Sequence, residues 1–293
     1  MIPTPKFSLI LNLAFISLFS SHVYAQDDMM ALLEAASDPI TQYTTATFKG
    51  TRLINGHSME TRRQGTLEFL ISHRFGRLNS GAYEFFGLDA ANIRLGLEYA
   101  FFDFLTVGIG RNSFEKTYDG FIKARLLKQS TGAKNIPVSV TGFTSIAINS
   151  LRTDDPQVFP NFSDRLFYTT QLLIARKFGD ALSLQLMPTL VHSNRIEEIR
   201  GDNDKYALGF GGRVKLTKRL SINAEYYYRL NEPEEDEFYN SLALGFDIET
   251  GGHVFQLHLT NSRAMIEKGF VSETTGDFFS GDIHFGFNIS RSF

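Results

Sequence analysis

His258 and His284 lie in the segments FQLHLT and DIHFGF, with Asp282 two positions before His284 and Asp247 in GFDIET. Imidazoles beside carboxylates are the raw material of an acid/base pair or a transition-metal site. In a polar interior, the same groups more often serve as hydrogen-bonding partners, because structural networks also perturb them. Serine catalysis would need a strained G-x-S-x-G elbow, and none occurs. GIGRNS and GFGGRV lack the third glycine of a dinucleotide fingerprint, and neither opens a helix. There is no H-E-x-x-H and no phosphate loop, and the absence of cysteine removes thiolate metal sites and disulfides alike. These residues therefore predict no catalytic group, no metal and no cofactor. The acidic run Glu232, Glu234, Glu235, Asp236 and Glu237 could gather divalent cations, but a charge block of this kind reads first as a solvated loop. A net charge of −3 argues against nucleic acid as a partner.

The elements that carry these residues follow a period of two. Ile93, Leu95, Leu97 and Tyr99 alternate with Arg94, Gly96 and Glu98; Leu220, Ile222, Ala224, Tyr226, Tyr228 and Leu230 alternate with Ser221, Asn223, Glu225, Tyr227 and Arg229; Leu242, Leu244, Phe246 and Ile248 alternate with Ser241, Ala243, Gly245, Asp247 and Glu249. The rhythm predicts strands near 65–77, 92–100, 104–111, 118–128, 136–149, 164–178, 182–192, 205–216, 220–230, 239–249, 253–261 and 282–293. Most are long enough for the roughly 9 to 11 residues that a tilted strand needs to cross a bilayer. Connections alternate between tight (FFD, GDA, TKR, TGG) and long (78–91, 150–163, 193–204, 262–281), as periplasmic turns and outer loops do. Two depart from that alternation: 111–117 is short, and QSTGAKN at 129–135 is long. A soluble sandwich shares the alternation, but a twelve-stranded barrel with an inward apolar face would enclose more volume than side chains fill. The expected fold is all-β: an up-and-down antiparallel transmembrane barrel of about twelve strands.

Compartment follows from the first residues. MIPTPK, the apolar run from Phe7 to Phe19 and the small-residue end at Val23 and Ala25 read as a signal peptide over 1–25, cleaved near Ala25. Residues 26–64 then form an N-terminal periplasmic or plug-like segment and 65–293 the barrel. DDMMALLEAAS suggests a short helix stopped by Pro39, and Phe48, Leu53 and Ile54 call for burial, which favours packing as a plug. The chain ends on Phe293, in phase with Ile283, Phe285, Phe287 and Ile289. That pattern resembles the signal read by the outer-membrane assembly machinery.

With the apolar phase turned to outer-membrane lipid, the other phase lines a lumen. Its charged and titratable candidates are Arg94, Glu98, Lys123, Arg125, Arg213, Glu225, Arg229, Asp247, Glu249, His258, Asp282 and His284. Such a mixture of signs suits either a hydrated, weakly selective pore or an interior closed by ion pairs. Gly96, Gly108, Gly110, Gly209, Gly211, Gly245 and Gly286 share that phase and leave room for water, a ligand or another stretch of chain. The loop from 262 to 281, with Met265, Ile266, Phe270, Val271, Phe278 and Phe279, is too apolar to hang in water and is expected to fold inward or bind a partner.

From Thr45 to Phe293 the chain resembles the bacterial outer-membrane barrel family known as domain of unknown function 5777. The blocks GTRLINGHSMETRRQGTLEFLISHRFGR, GAYEFFGLDAANIRLGLEYA, FEKTYDGF, NAEYYYRL, GFDIETGGHVFQLHLTNSR and GDIHFGFNISR carry the likeness. It implies a barrel in the outer membrane and transfers no functional residue. The expected function is a non-enzymatic, porin-like channel or transporter for small solutes. The alternatives are a structural barrel that binds a periplasmic or surface protein and, third, an outer-membrane hydrolase.

Overall fold

The computed structural model describes residues 40–155, 158–195, 202–231 and 237–293. The expected signal peptide, the helix expected before Pro39 and residues 232–236 of the acidic run lie outside them. Residues 40–42 with 131–135 cluster as a small unit of their own, and residues 43–130 with 136–293 make the second and larger one.

The larger unit is a closed antiparallel barrel of twelve strands, each hydrogen-bonded to its neighbours in sequence. They are β1 (Leu67–Arg77), β2 (Ala91–Phe102), β3 (Leu105–Asn112), β4 (Tyr118–Leu127), β5 (Ser139–Ile148), β6 (Leu166–Lys177), β7 (Leu182–Ser193), β8 (Asp204–Lys215), β9 (Leu220–Arg229), β10 (Ser241–Thr250), β11 (His253–Thr260) and β12 (His284–Ser292). Closure pairs β12 with β1 through a register shift at His284 and Gly286. It is completed by reciprocal backbone bonds between Leu67 and Phe293. Closure leaves no unpaired edge, which a strand exposed to lipid cannot tolerate. A strand of about 11 residues rising ~3.3 Å each and tilted by ~40° spans about 28 Å, the thickness of a hydrocarbon core.

Alternation sorts the two faces. On β2, Ile93, Leu95, Leu97 and Tyr99 are 40 to 45 % exposed, whereas Arg94 and Glu98 are 1 and 2 % exposed. Phe246 on β10 is likewise turned outward and Asp247 inward. Apolar side chains stay exposed because lipid, not water, is their solvent. Tight turns gather with the chain's C-terminus at one rim. There, the β10–β11 hairpin turns through Gly251 and Gly252 at φ 41° and 106°, the positive values that a two-residue hairpin favours. The long connections gather at the opposite rim, apart from 128–138, which lies with the tight turns; by the barrel pattern of short periplasmic turns and longer outer loops, the first rim is called periplasmic and the second outer. Between β11 and β12 the long connection carries one α-helix, α1 (Glu267–Ser272).

Candidate functional site

The lumen is filled by chain. Residues 47–59 are buried inside the barrel apart from the half-buried Lys49. The wall holds them largely through their backbone. Arg213 donates to the carbonyls of Ala46 and Thr47 at 3.1 and 2.9 Å. Lys123 Nζ donates to those of Thr51 and Ser58 at 3.5 Å each. Gln256 donates to Leu53 O at 2.8 Å and Asn288 to Ile54 O at 2.9 Å. Glu225 accepts from the amides of Ile54 and Gly56, the nearer at 3.0 Å. Gln185 accepts from Met59 N and donates to His57 O, both at 2.8 Å, while Thr141 donates to Met59 O at 3.0 Å. This segment has no ladder of its own beyond an isolated Arg52–His57 bridge. The wall's side chains thus satisfy buried amides that would otherwise cost about 1–3 kcal/mol each.

The inward candidates divide by height. Arg94, Glu98, Lys123, Arg213, Glu225, Arg229, Asp247, His258 and His284 are all buried. Arg94 forms a forked pair with Asp119, its Nε donating at 2.9 Å. Asp247 accepts from Gln256 at 2.9 Å, and Arg229 donates to Phe238 O. Arg125 and Glu249 stand instead at the periplasmic rim, because each lies within two residues of the end of its strand. Arg125 precedes a register shift and donates to Asp103 O, and Glu249 meets Lys49. Asp282 precedes β12 and sits at the outer rim, where it binds Asn79 and Arg77. It therefore leaves the lumenal set. His258 and His284 occupy neighbouring strands but not opposite positions, since His258 faces Gly286 and His284 faces Thr260. His284 binds the Phe75 carbonyl at 2.8 Å. Of the acidic run, Glu237 is exposed.

Several contributors escaped the sequence reading. Glu68 takes a forked pair from Arg62, both bonds at 2.6 Å. Arg74 donates to Asn55 Oδ1 at 2.8 Å and reaches Ser262 O. Their signal was present, since Glu68, Ser72 and Arg74 alternate with apolar neighbours along β1. The larger departure is an apolar interior: Phe48, Leu53 and Met59 cluster with Phe121, Phe143, Met187, Tyr227 and Phe270. The wall is thus polar over much of its inner face but carries an apolar patch, from Phe121, Phe143, Met187 and Tyr227, against which Phe48, Leu53, Met59 and Phe270 pack.

The second stretch enters from the outer end. In the β11–β12 connection, Met265, Ile266, Phe270 and Val271 are buried, and Phe270 packs its ring 5.2 Å from that of Tyr227. Phe279 stays 90 % exposed, so the inward fold stops before the tip. Lys268 ties α1 to Glu115 at 2.8 Å and lies over the Phe167 ring.

The two stretches meet through charge. Arg52 lies 3.5 Å from Glu267 of α1 and 3.8 Å from Glu98 of the wall, and His57 lies 3.8 Å from Glu267. Burial, with Arg52, Lys123 and Arg94 nearby, pushes the His57 imidazole well below its usual range. Burial pushes the Glu267 carboxyl up, against the pull of Arg52. Ion pairs this long and this buried return little beyond their desolvation cost, so the junction is a weak clasp.

Known proteins place the architecture. A family model described as a membrane bound beta barrel domain, domain of unknown function 5777, matches residues 48–293. Among solved structures, the NanC porin resembles the chain with a TM-score of 0.50 at 7 % identity, over 77 % of this chain and 98 % of that one. The KdgM porin gives 0.47 at 12 %, over 78 % and 99 %. Outer membrane phospholipase A from Escherichia coli gives 0.44 at 12 %, over 84 % and 95 %. At 7 % identity the likeness to the NanC porin is one of fold alone. No curated protein matches the sequence. Residues 48–293 being matched end to end, the chain belongs to the domain of unknown function 5777 family of membrane-bound β-barrels.

Proposed function

We propose that this protein is a gated outer-membrane channel for small polar solutes, non-enzymatic, and closed at rest by its own N-terminal segment. The observation that carries the reading is the way the wall holds residues 46–59, by polar side chains aimed at backbone amides and carbonyls. Water replaces contacts of that kind when a segment withdraws, so the wall left behind is a hydrated, charge-balanced bore. The segment runs toward the periplasmic rim, where Arg62 and Glu68 anchor it. A periplasmic protein drawing on the preceding residues would open the path. Export through a signal peptide over 1–25 and insertion through Phe293 belong to the same proposal.

The apolar cluster favours a second reading, a structural barrel filled for good. Withdrawal strands Phe48, Leu53 and Met59 in water, at about 1.5–3 kcal/mol for each large side chain. Planar-bilayer recording of the full mature chain and of a chain lacking 26–64 separates the two. The channel reading expects rare openings in the first and steady conductance in the second. A shortened barrel that folds, resists protease and never conducts sinks it.

A further inference from the structure

The lipid face carries a depression that the channel reading does not use. Along β8 and β9 the outward pairs are Phe210 with Tyr226, then Gly212 with Ala224, then Val214 with Ile222. The middle pair is small between bulky neighbours, and Leu184 of β7 stands opposite Gly212. The result is an apolar groove of about 560 Å³ on a surface that barrel curvature makes convex elsewhere. Arg176 closes its lower end. This guanidinium sits on the outward phase, one residue from the end of β6, paired in register with Leu184 and 5.1 Å from the Phe178 ring. Strands stand about 4.8 Å apart, so Gly212 is about 10 Å and Ala224 about 14 Å from Arg176 across the sheet. A cation at the periplasmic interface with an apolar trough leading from it matches an anionic headgroup joined to an acyl chain.

We propose that this groove is a binding site for one anionic glycerophospholipid of the inner leaflet, its phosphate on Arg176 and one acyl chain over Gly212 and Ala224. The periplasmic position of the arginine selects the inner leaflet over the lipopolysaccharide of the outer one. The trough works by fit: a chain laid in it meets Phe210 and Leu184 on its flanks as well as the small residues beneath, and so gains contact that a convex wall does not give.

Native mass spectrometry of the full mature chain, exchanged into detergent with phosphatidylglycerol, phosphatidylethanolamine or lipopolysaccharide, tests this. The expected result is one retained phosphatidylglycerol, preferred over the other two. Gly212→Phe fills the trough and is expected to weaken retention about tenfold, equivalent to ~1.4 kcal/mol. Ala224→Phe, which fills it from the other strand, should do the same should the first variant fail to fold. Arg176→Gln is expected to weaken retention about fivefold and to erase the preference over phosphatidylethanolamine. Equal retention by wild type and both phenylalanine variants overturns the proposal, as does a wild-type preference for phosphatidylethanolamine or lipopolysaccharide. Because this readout is independent of conductance, a failure here is distinguishable from a failure of the channel reading.

Discussion

Two stretches of chain fill this barrel, and they are held by opposite means. The N-terminal stretch, 46–59, is gripped through its backbone by side chains of the wall, so its hold is written in the strands. The outer stretch around α1 is held through its own side chains, with Phe270 against Tyr227 and Lys268 between Glu115 and Glu273. A backbone grip depends on the receptor and exchanges readily with water. A side-chain grip depends on the guest and fails when the guest is trimmed. The first suits a segment that lets go first and the second a cap that follows it, through the contact of Arg52 with Glu267.

Trimming the cap is the strongest way to test that contrast. Phe270 is fully buried, so Phe270→Ala is expected to loosen the outer connection by about 3 kcal/mol through lost packing and a residual void. Hydrogen exchange should rise across 263–275 and change little at 50–59. An equal rise in both would show that the two stretches unlatch as one body. The converse change lies in the wall. Glu225→Leu leaves the amides of Ile54 and Gly56 without an acceptor, at about 2–3 kcal/mol, and should expose Arg52 to trypsin while α1 stays protected. Protection of Arg52 unchanged in that variant would show that the grip does not run through the backbone.

One position inverts the rule and so sharpens it. A Cβ on Gly56 would lie 2.3 Å from the Tyr227 hydroxyl, so here the guest's own residue type matters. Gly56→Ala is expected to cost about 1–2 kcal/mol by overpacking, read as a lower thermal threshold for protease attack on the segment. A companion Tyr227→Phe change should restore most of it.

The strands were legible because a lipid-facing sheet obeys a strict alternation. The segment expected at 92–100 is Ala91–Phe102, and that expected at 220–230 is Leu220–Arg229. Phase also placed Arg94, Glu98 and Glu225 inward, since a charge away from the ends of such a strand has no other home. The greasy interior was not legible from phase alone. Phe121 and Tyr227 break no pattern that a periodicity can register, because an inward apolar residue is wrong only for an empty lumen. Glycines held the clue: a Cβ on Gly108 would strike the Phe121 ring at 2.3 Å, one on Gly110 would strike Arg94, and one on Gly211 would strike Leu53 at 2.4 Å. The space they leave is taken by large neighbours, not by water. Arg125 and Glu249 lie at the rim because alternation persists to the last residue of a strand whereas enclosure ends a residue or two earlier, and Asp282 lies there because it precedes β12 altogether.

Protons pull the two stretches in opposite directions. His57 sits buried near Arg52, Lys123, Arg94 and Glu267, with its affinity for protons well below the usual value of 6.5, so the withdrawn segment binds more protons than the docked one. Docking therefore holds above pH 6.5 and weakens as pH falls below it, by at most about tenfold per pH unit for one proton. Glu267 has the reverse sign. Its carboxyl is raised from 4.5 in the docked cap, so acid favours docking of α1, and that advantage fades as pH climbs from the ordinary value through the raised one. Trypsin cleavage at Arg52 should accordingly rise as pH falls from 7 to 5.5 in wild type and stay flat in His57→Gln. A flat wild-type profile would remove His57 from the latch.

The smallest expected effect concerns the clasp that joins the two stretches. Arg52 and Glu267 stand 3.5 Å apart in a dry setting, each pushed toward its neutral form by burial. Truncating one leaves the other buried and unmatched, so Arg52→Gln and Glu267→Gln should each destabilise docking more than the double variant's excess over either. The coupling from such a cycle is expected near 1 kcal/mol, because Glu98 also faces Arg52 and partly substitutes for Glu267. A coupling of that size means the outer cap senses the state of the periplasmic segment across the thickness of the membrane. A coupling of zero, with exchange in 50–59 and 263–275 responding independently to the single variants, would leave two separate fillers that merely touch.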